Sequence, residues 1–359
     1  MTAVRVGIVG TGSVASSVHL PILTRRSDLF EIVALADLNI HAAHALADRF
    51  GIARSDCFDS PTAMVKDKEL DAILILNSGS HAEVVEMALR AGKTVFCEKP
   101  LAYSRAEMKA IEKARAESGS KLMIGYMKTF DPAVIEAQKA IKTRPRTVDV
   151  LVLHPSGDSQ LITSDESLNM PKPSNELIET FTKSRVAVQE EALGKAGAAS
   201  FGNLYSEMVL GSVIHEFSVL RALDIRIAEV DYVDRWPAGS ASDSIIVCGR
   251  TSDGVRVTVR WFYLDQYPMY QEEIRWVSGE EGHHIIFPSP YILRVPTKLI
   301  STYRKGADHQ ANKFESYKPS FESELEAFYE LVKTGKEIAD PISDGMEDLV
   351  LAQKIAKKI

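Results

Sequence analysis

A chain of 359 residues, 45% hydrophobic and 25% charged, has the composition of an ordinary globular protein and is long enough for two domains with separate cores. Its net charge of −7 and pI near 5.8 argue against nucleic acid or an anionic membrane as the main partner. Three widely spaced cysteines (Cys57, Cys97, Cys248), a first apolar run that starts at Val4 and no membrane-length apolar stretch predict buried thiols, no signal peptide and a cytoplasmic location.

The run Val4, Val6, Ile8, Val9 predicts a buried strand, and Gly10-Thr11-Gly12-Ser13-Val14-Ala15 follows it at the G-x-G-x-x-G/A spacing of a dinucleotide-binding turn. Gly10 permits the tight turn, Gly12 lacks the Cβ that would hold a diphosphate off the backbone, and Ala15 lets the next helix lie close to the strand. An anionic diphosphate is then favoured at the helix N-terminus by unpaired N–H groups and the macrodipole. A second apolar run, Phe30 to Ala36, ends in Asp37, where the fingerprint places an acid on the adenosine ribose. Asp37 repels a 2′-phosphate and Leu38-Asn39 offers no arginine to receive one, so NAD is expected over NADP. The competing reading is an ordinary strand-turn-helix with a surface aspartate.

Helices are expected over 13–27 and 40–50, the second closed by Gly51. A third strand spans Asp71 to Leu76, a helix Ser80 to Ala91, and a fourth strand Thr94 to Cys97. Ser104 with Glu107 forms a capping box for a helix through Glu117, and Lys121 to Ile124 is a fifth strand. This alternation predicts an α/β fold, an N-terminal Rossmann-type doubly wound parallel sheet whose ligand lies at the carboxyl ends of its strands. The first domain is placed at 1–124, with C-terminal helices from about 319–359 packing back on it.

Beyond Asp131-Pro132 the pattern changes to an α+β domain, 125–318, with a large, open, mainly antiparallel sheet. A helix to about Lys142 and a strand from Thr147 to Leu153 precede a polar stretch, Pro155 to Asn175, read as a flap over the site. Helices follow at about 175–193 and 204–223, then strands near 228–235, 244–251, 254–263, 270–278 and 283–287. Val255, Val257, Val259 and Trp261 alternate with Arg256, Thr258 and Arg260, so one sheet face meets a core. The other, polar yet rich in arginine and aromatics, suits a homo-oligomer contact as well as it suits solvent. Amphipathic helices from Ser320 to Lys333 and from about Gly345 to Lys358 close the chain.

Glu98-Lys99-Pro100 follows the fourth strand at the edge where a nicotinamide would arrive. A lysine there stabilises a developing alkoxide, or is simply a solvated surface residue. His215 lies in an otherwise apolar helix and is either a hydrogen-bonded core residue or a proton carrier. His81 touches cofactor or caps its helix, and His154 contacts substrate or anchors the long loop. His283-His284 reads as exposed at a hairpin. His41 and His44 lie three apart on one helix with no converging acid, so no metal site is expected.

Together the Gly10–Ala15 loop, Ala36-Asp37, His81-Ala82-Glu83, the run AGKTVFCEKPLA, Gly125-Tyr126, Phe130-Asp131-Pro132 and the helix carrying His215 resemble the Gfo/Idh/MocA family of oxidoreductases. The resemblance extends over nearly the whole chain to Phe321–Phe328 and Asp340-Pro341. It implies oxidation or reduction of sugars, inositols and related compounds with a nicotinamide cofactor, with Lys99 orienting the reacting oxygen and His215 as general acid/base. The cofactor set implied is Gly10, Gly12, Ser13, Val14, Asp37, Asn77, His81, Glu98 and Lys99. The substrate set is Tyr126, Lys128, His154, Tyr205 and Gly211, and a homodimer or homotetramer through the second domain's sheet is expected. This chain departs from the pattern where an aspartate should precede the histidine by four, since Gly211 stands there, and where an acid should follow it by three, since Ser218 does. Glu207 or Tyr205 are the candidates to replace the missing group.

Three functions follow: an NAD-dependent dehydrogenase of a secondary hydroxyl on a sugar, glycoside or cyclitol; a redox-neutral NAD-dependent glycoside hydrolase; and a non-catalytic NAD-binding regulator.

Overall fold

The computed structural model describes residues 2–155, 171–237, 244–292 and 295–359. The long polar stretch expected as a flap therefore lies, over 156–170, outside the described residues. The chain divides into two compact units. The first holds the described parts of 1–125, 164–202 and 325–349; the second holds those of 126–163, 203–324 and 350–359.

In the first unit, β1 (Val4–Val9), β2 (Phe30–Ala36), β3 (Cys57–Phe58), β4 (Ala72–Ile75), β5 (Thr94–Glu98) and β6 (Leu122–Gly125) form one sheet in the order β3-β2-β1-β4-β5-β6. Every pairing in it is parallel. Strands of such a sheet are covered on both faces, which is why they read as continuous apolar runs; all four residues of β4 are buried. The strand order reverses between β1 and β4, and a doubly wound sheet binds its ligand outside the carboxyl ends at that crevice.

The capping box at Ser104 is formed in full, with the Ser104 hydroxyl accepting from the Glu107 N–H and the Glu107 carboxylate accepting from the Ser104 N–H. The helix after the glycine turn runs from Ser13 through a wide π-turn at Ala15–His19 into Leu20–Arg25. Within this unit, Phe328 of the helix Ser320–Thr334 stands edge-on to Phe96 and Tyr329 edge-on to Phe30. The last helix starts at Pro341, one turn before the expected Gly345, because Pro is well suited to a first helical position. A short strand (β3) and a helix over Pro61–Asp67, capped by Ser60, were not expected from the sequence.

The second unit is built on β7 (Thr147–His154), β8 (Glu229–Trp236), β9 (Ser244–Arg250), β10 (Arg256–Tyr263), β11 (Gln271–Val277), β12 (Glu281–Phe287), β13 (Thr297–Lys305) and β14 (Asp308–Ser316), ordered β14-β13-β12-β11-β7-β10-β9-β8. Only β7 and β10 pair in parallel. The predicted alternation holds: Val255, Val257, Val259 and Trp261 are buried, while Arg260 on the opposite face binds Asp149. The last two strands were missed. β14 is polar and exposed along nearly its whole length, so it carries no hydrophobic alternation to read.

His283 and His284 are not at a hairpin tip. The strand starts at Glu281, so the two residues point to opposite faces: His283 is buried and stacked on Trp276, and His284 pairs with Glu273. Of the thiols, Cys97 alone is buried, with Cys57 and Cys248 half-buried. Among the described residues no helix is long and apolar enough to cross a membrane, and no group of three potential metal ligands converges.

Candidate functional site

At the crevice between β1 and β4, Gly10 adopts φ +90° and passes against the next turn so closely that an added Cβ would lie 2.3 Å from the Asn77 backbone nitrogen. Glycine is required there by both conformation and contact. Gly12 is the opposite case. A Cβ built on it meets nothing within 4 Å, so its space opens outward at the start of the helix, with Ser13 exposed and Val14 half-buried beside it. That is the cradle a diphosphate needs.

Asp37 is organised from both ends. Its Oδ2 accepts from the Thr11 backbone N–H and hydroxyl, each at 2.8 Å, and its Oδ1 accepts from the Asn39 N–H at 2.8 Å. A carboxylate has about four lone-pair positions, so these three bonds leave room on Oδ1 for one more donor, such as a ribose hydroxyl. Asn77 spends its amide N–H groups on the Ser78 and Ser80 carbonyls, and among the described residues its buried Oδ1 has no partner. An orphaned acceptor beside an open cradle at the switch point fits a dinucleotide.

Two residues of the expected cofactor set are differently employed. The Glu98 side chain is buried; Oε1 lies 2.8 Å from His19 Nε2 and Oε2 accepts the Lys99 N–H at 3.2 Å. Burial is the largest influence and raises this carboxyl, but the His19 hydrogen bond together with the nearby charges of His19, Lys99 and His81 outweighs it and holds the group below the usual carboxylate range. His81 is buried with both ring nitrogens turned to protein carbonyls, Pro100 at 2.7 Å and Asn77 at 2.8 Å, and burial pushes the ring toward its neutral form. Both side chains thus serve neighbouring backbone or side-chain groups, whereas Lys99 itself is half-buried at the carboxyl end of β5.

In the second unit His215 is half-buried, two residues past a π-helical stretch, Leu204–Val213. Gly211 lies inside that stretch, and a Cβ there would approach the Ser206 carbonyl to 3.2 Å. Glu207 is exposed. The residues expected to face substrate are mostly enclosed. Tyr205 is fully buried, and Tyr126 is buried beneath the Arg221 guanidinium, 5.0 Å from its ring. Lys128 is consumed by two carboxylates: its Nζ donates to Glu216 at 2.9 Å and to both Glu272 oxygens at 2.7 Å, while the Tyr270 hydroxyl donates to Glu272 at 2.5 Å. His154 joins the same cluster, its ring 5.8 Å from Tyr270 and 5.2 Å from Trp261. Burial pushes the Glu216 carboxyl up to about 8, while the two acidic partners outweigh burial to keep Lys128 charged. Burial thus favours the protonated form of Glu216 and the neighbouring carboxyls favour the charged form of Lys128, which reduces the net charge that burial must carry.

His19, Glu216 and Glu272 escaped the sequence reading. Glu272 was within reach of it, since it shares the inward face with Ile274 and Trp276 at strand period two.

A six-stranded parallel sheet with a glycine cradle and an acid at the end of β2 defines a dinucleotide-binding protein of the Rossmann class. The model of the "Oxidoreductase family, NAD-binding Rossmann fold" matches residues 4–126. The chain is 32% identical to the inositol 2-dehydrogenase of Salmonella typhimurium over 98% of this chain and 93% of the relative. Among solved structures, it aligns with a myo-inositol 2-dehydrogenase from Lactobacillus plantarum at a TM-score of 0.71 and 17% identity, covering 99% and 97% of the two chains. It aligns with the 3-ketoreductase KijD10 from Actinomadura kijaniata, in complex with TDP-benzene and NADP, at 0.70 and 15%, covering 99% and 98%. The chain belongs to the Gfo/Idh/MocA family of oxidoreductases.

Two outcomes follow from this geometry. Gly12→Ala should weaken dinucleotide binding by about tenfold or more, a loss of roughly 1.4 kcal/mol, and leave the melting temperature unchanged, since the added Cβ meets no described atom within 4 Å; calorimetric titration and thermal unfolding check both. For Glu216 the folded-state pKa of about 8 lies above the ordinary 4.5, so the folded state holds the extra proton between those values. Stability then falls as pH rises through that window, by at most about 1.4 kcal/mol per pH unit, and is flat above it. Urea unfolding from pH 5 to 8 should show a shallower decline in Glu216→Gln than in the parent.

Proposed function

We propose that the protein oxidises a secondary hydroxyl of a sugar, glycoside or cyclitol, using NAD. The observation that carries the reading is Lys99, half-buried and directly following β5 at the ligand edge of a parallel sheet whose cradle, Asp37 and Asn77 fit a dinucleotide. Support for the substrate class comes from inositol 2-dehydrogenases that match over nearly the full chain. Gly12, Ser13 and Val14 would hold the diphosphate, Asp37 the adenosine ribose and Asn77 the nicotinamide end. The preference for NAD rests on charge, because the Asp37 carboxylate repels a 2′-phosphate and its Thr11 and Asn39 donors hold it in place. When bound, the cofactor supplies the hydride-accepting ring.

In this reading Lys99 donates a hydrogen bond to the reacting oxygen and stabilises its developing negative charge. His215 takes the hydroxyl proton, as a half-buried imidazole with a near-neutral unperturbed pKa is able to do. With Gly211 in the aspartate's place, the imidazole works without a carboxylate on the preceding turn. The arginine- and aromatic-bearing face of the second unit's sheet would join copies of this chain into a dimer or tetramer.

Purified protein incubated with NAD and a panel of free sugars, cyclitols and aryl glycosides should yield net reduced nicotinamide, with NAD preferred over NADP by about tenfold or more in kcat/KM. Aglycone release without net reduction would instead mark redox-neutral hydrolysis, and bound NAD with neither product a regulator. His215→Ala should abolish turnover while NAD binding persists; retained turnover would remove His215 from its role. Light scattering on a sizing column should give a mass two or four times 39.6 kDa, and a monomer would end the oligomer proposal.

A further inference from the structure

Glu98-Lys99-Pro100 is flanked by two histidines that no part of the proposed chemistry uses. His19 comes from the wide turn of the helix that follows the glycine cradle and has no exposed surface. Its Nε2 meets Glu98 Oε1 at 2.8 Å, its ring stands edge-on to Phe96 of the same strand, and the other Glu98 oxygen accepts the Lys99 backbone N–H. On the next strand Gly125 leaves room for this carboxylate, since a Cβ there would lie 3.4 Å from Glu98 Cδ and 3.0 Å from the Phe96 ring. His81, 3% exposed, comes from the turn after β4 and packs between the Pro100 carbonyl, 2.7 Å from Nδ1, and the Asn77 carbonyl, 2.8 Å from Nε2, one of which accepts the N–H of the neutral ring. The residue before Lys99 and the residue after it are thus each held by a buried imidazole, and each imidazole is anchored in a different cofactor-side loop.

We propose that His19 and His81 are positioning residues for Lys99: they clasp the backbone on its two sides, so that the direction of its side chain is set by the loops that receive the dinucleotide. This rests on Lys99 being the group that binds the reacting oxygen. A flexible lysine has several rotatable bonds, and holding its backbone within a narrow range is what converts it from a solvated charge into an oriented donor. A purely architectural role for the two histidines would affect stability and cofactor affinity without acting through Lys99.

The test separates the two. His19→Phe and His81→Phe remove the polar contacts, whereas His19→Gln keeps an N–H near the Nε2 position and His81→Asn keeps one near Nδ1. In the apo protein, trace acetylation with acetic anhydride compares labelling of Lys99 with that of exposed Lys113 by mass spectrometry. The ratio should change by about threefold or more in the Phe variants and return most of the way in Gln and Asn. With substrate and NAD, kcat should fall by about tenfold or more in each Phe variant with the KM for NAD changed by less than about threefold, and the same substitutions should cost less than about threefold in a Lys99→Ala background. An unchanged labelling ratio, a changed ratio without rescue, or equal losses in both backgrounds would overturn the proposal. Should a Phe variant fail to fold, Glu98→Gln, which keeps the shape and removes the charge that His19 binds, takes its place in every arm. If no substrate turns over, the labelling arm still decides the clasp while the assignment of the reaction falls separately.

Discussion

The first unit depends on one close approach. Between β1 and β4 two backbone turns run past each other at a separation that admits no Cβ at Gly10, and this packing brings the start of the next helix and the Asn77 side chain to the same crevice. Everything assigned to cofactor recognition follows from that arrangement. The open space at Gly12, the aspartate tied to Thr11 and the half-buried lysine after β5 are all residues at the carboxyl ends of neighbouring parallel strands, and a parallel sheet aligns those ends by construction.

The second unit is governed by a different constraint, the cost of placing charge where water does not reach. Lys128 cannot face solvent, and two glutamates converge on it from a helix and a strand, the second of them also accepting the Tyr270 hydroxyl. Burial drives Glu216 toward its protonated form, which lowers the charge the cluster must hold away from water. The cluster thereby pins the helix that bears His215 to β11, because Glu216 is the next residue in that helix. Removal of one member would strand the others, a much larger penalty than the cluster's net contribution to stability.

How much of this was legible in the sequence depended on whether a signal was local. The capping box at Ser104 and the alternating strand from Val255 to Trp261 are short-range patterns carried by neighbouring residues, and the structure forms both. Lys128 shows the limit. As an isolated lysine after a predicted strand it looks like a substrate contact, and only the convergence of residues 88 and 144 positions away reveals that it is neutralised. Tyr205, Glu98 and His81 show the same limit: residue type and spacing give the element they sit on, but burial and partners are properties of the assembled unit. β13 and β14 were lost differently, through a strand so polar that its pairing leaves no hydrophobic trace.

That polarity has its own effect. β14 ends the large sheet with Asp308, His309, Gln310, Asn312, Lys313 and Glu315, and β8 ends it on the other side with Glu229, Asp231, Asp234 and Arg235. A bare rim of N–H and C=O groups would invite another extended chain to zip on and continue the ladder without limit, the route to fibrous aggregates. Hydrated, charged rims make that addition unfavourable, so any assembly through this sheet must use its broad surface, where contacts close on themselves and stop at a finite number of chains.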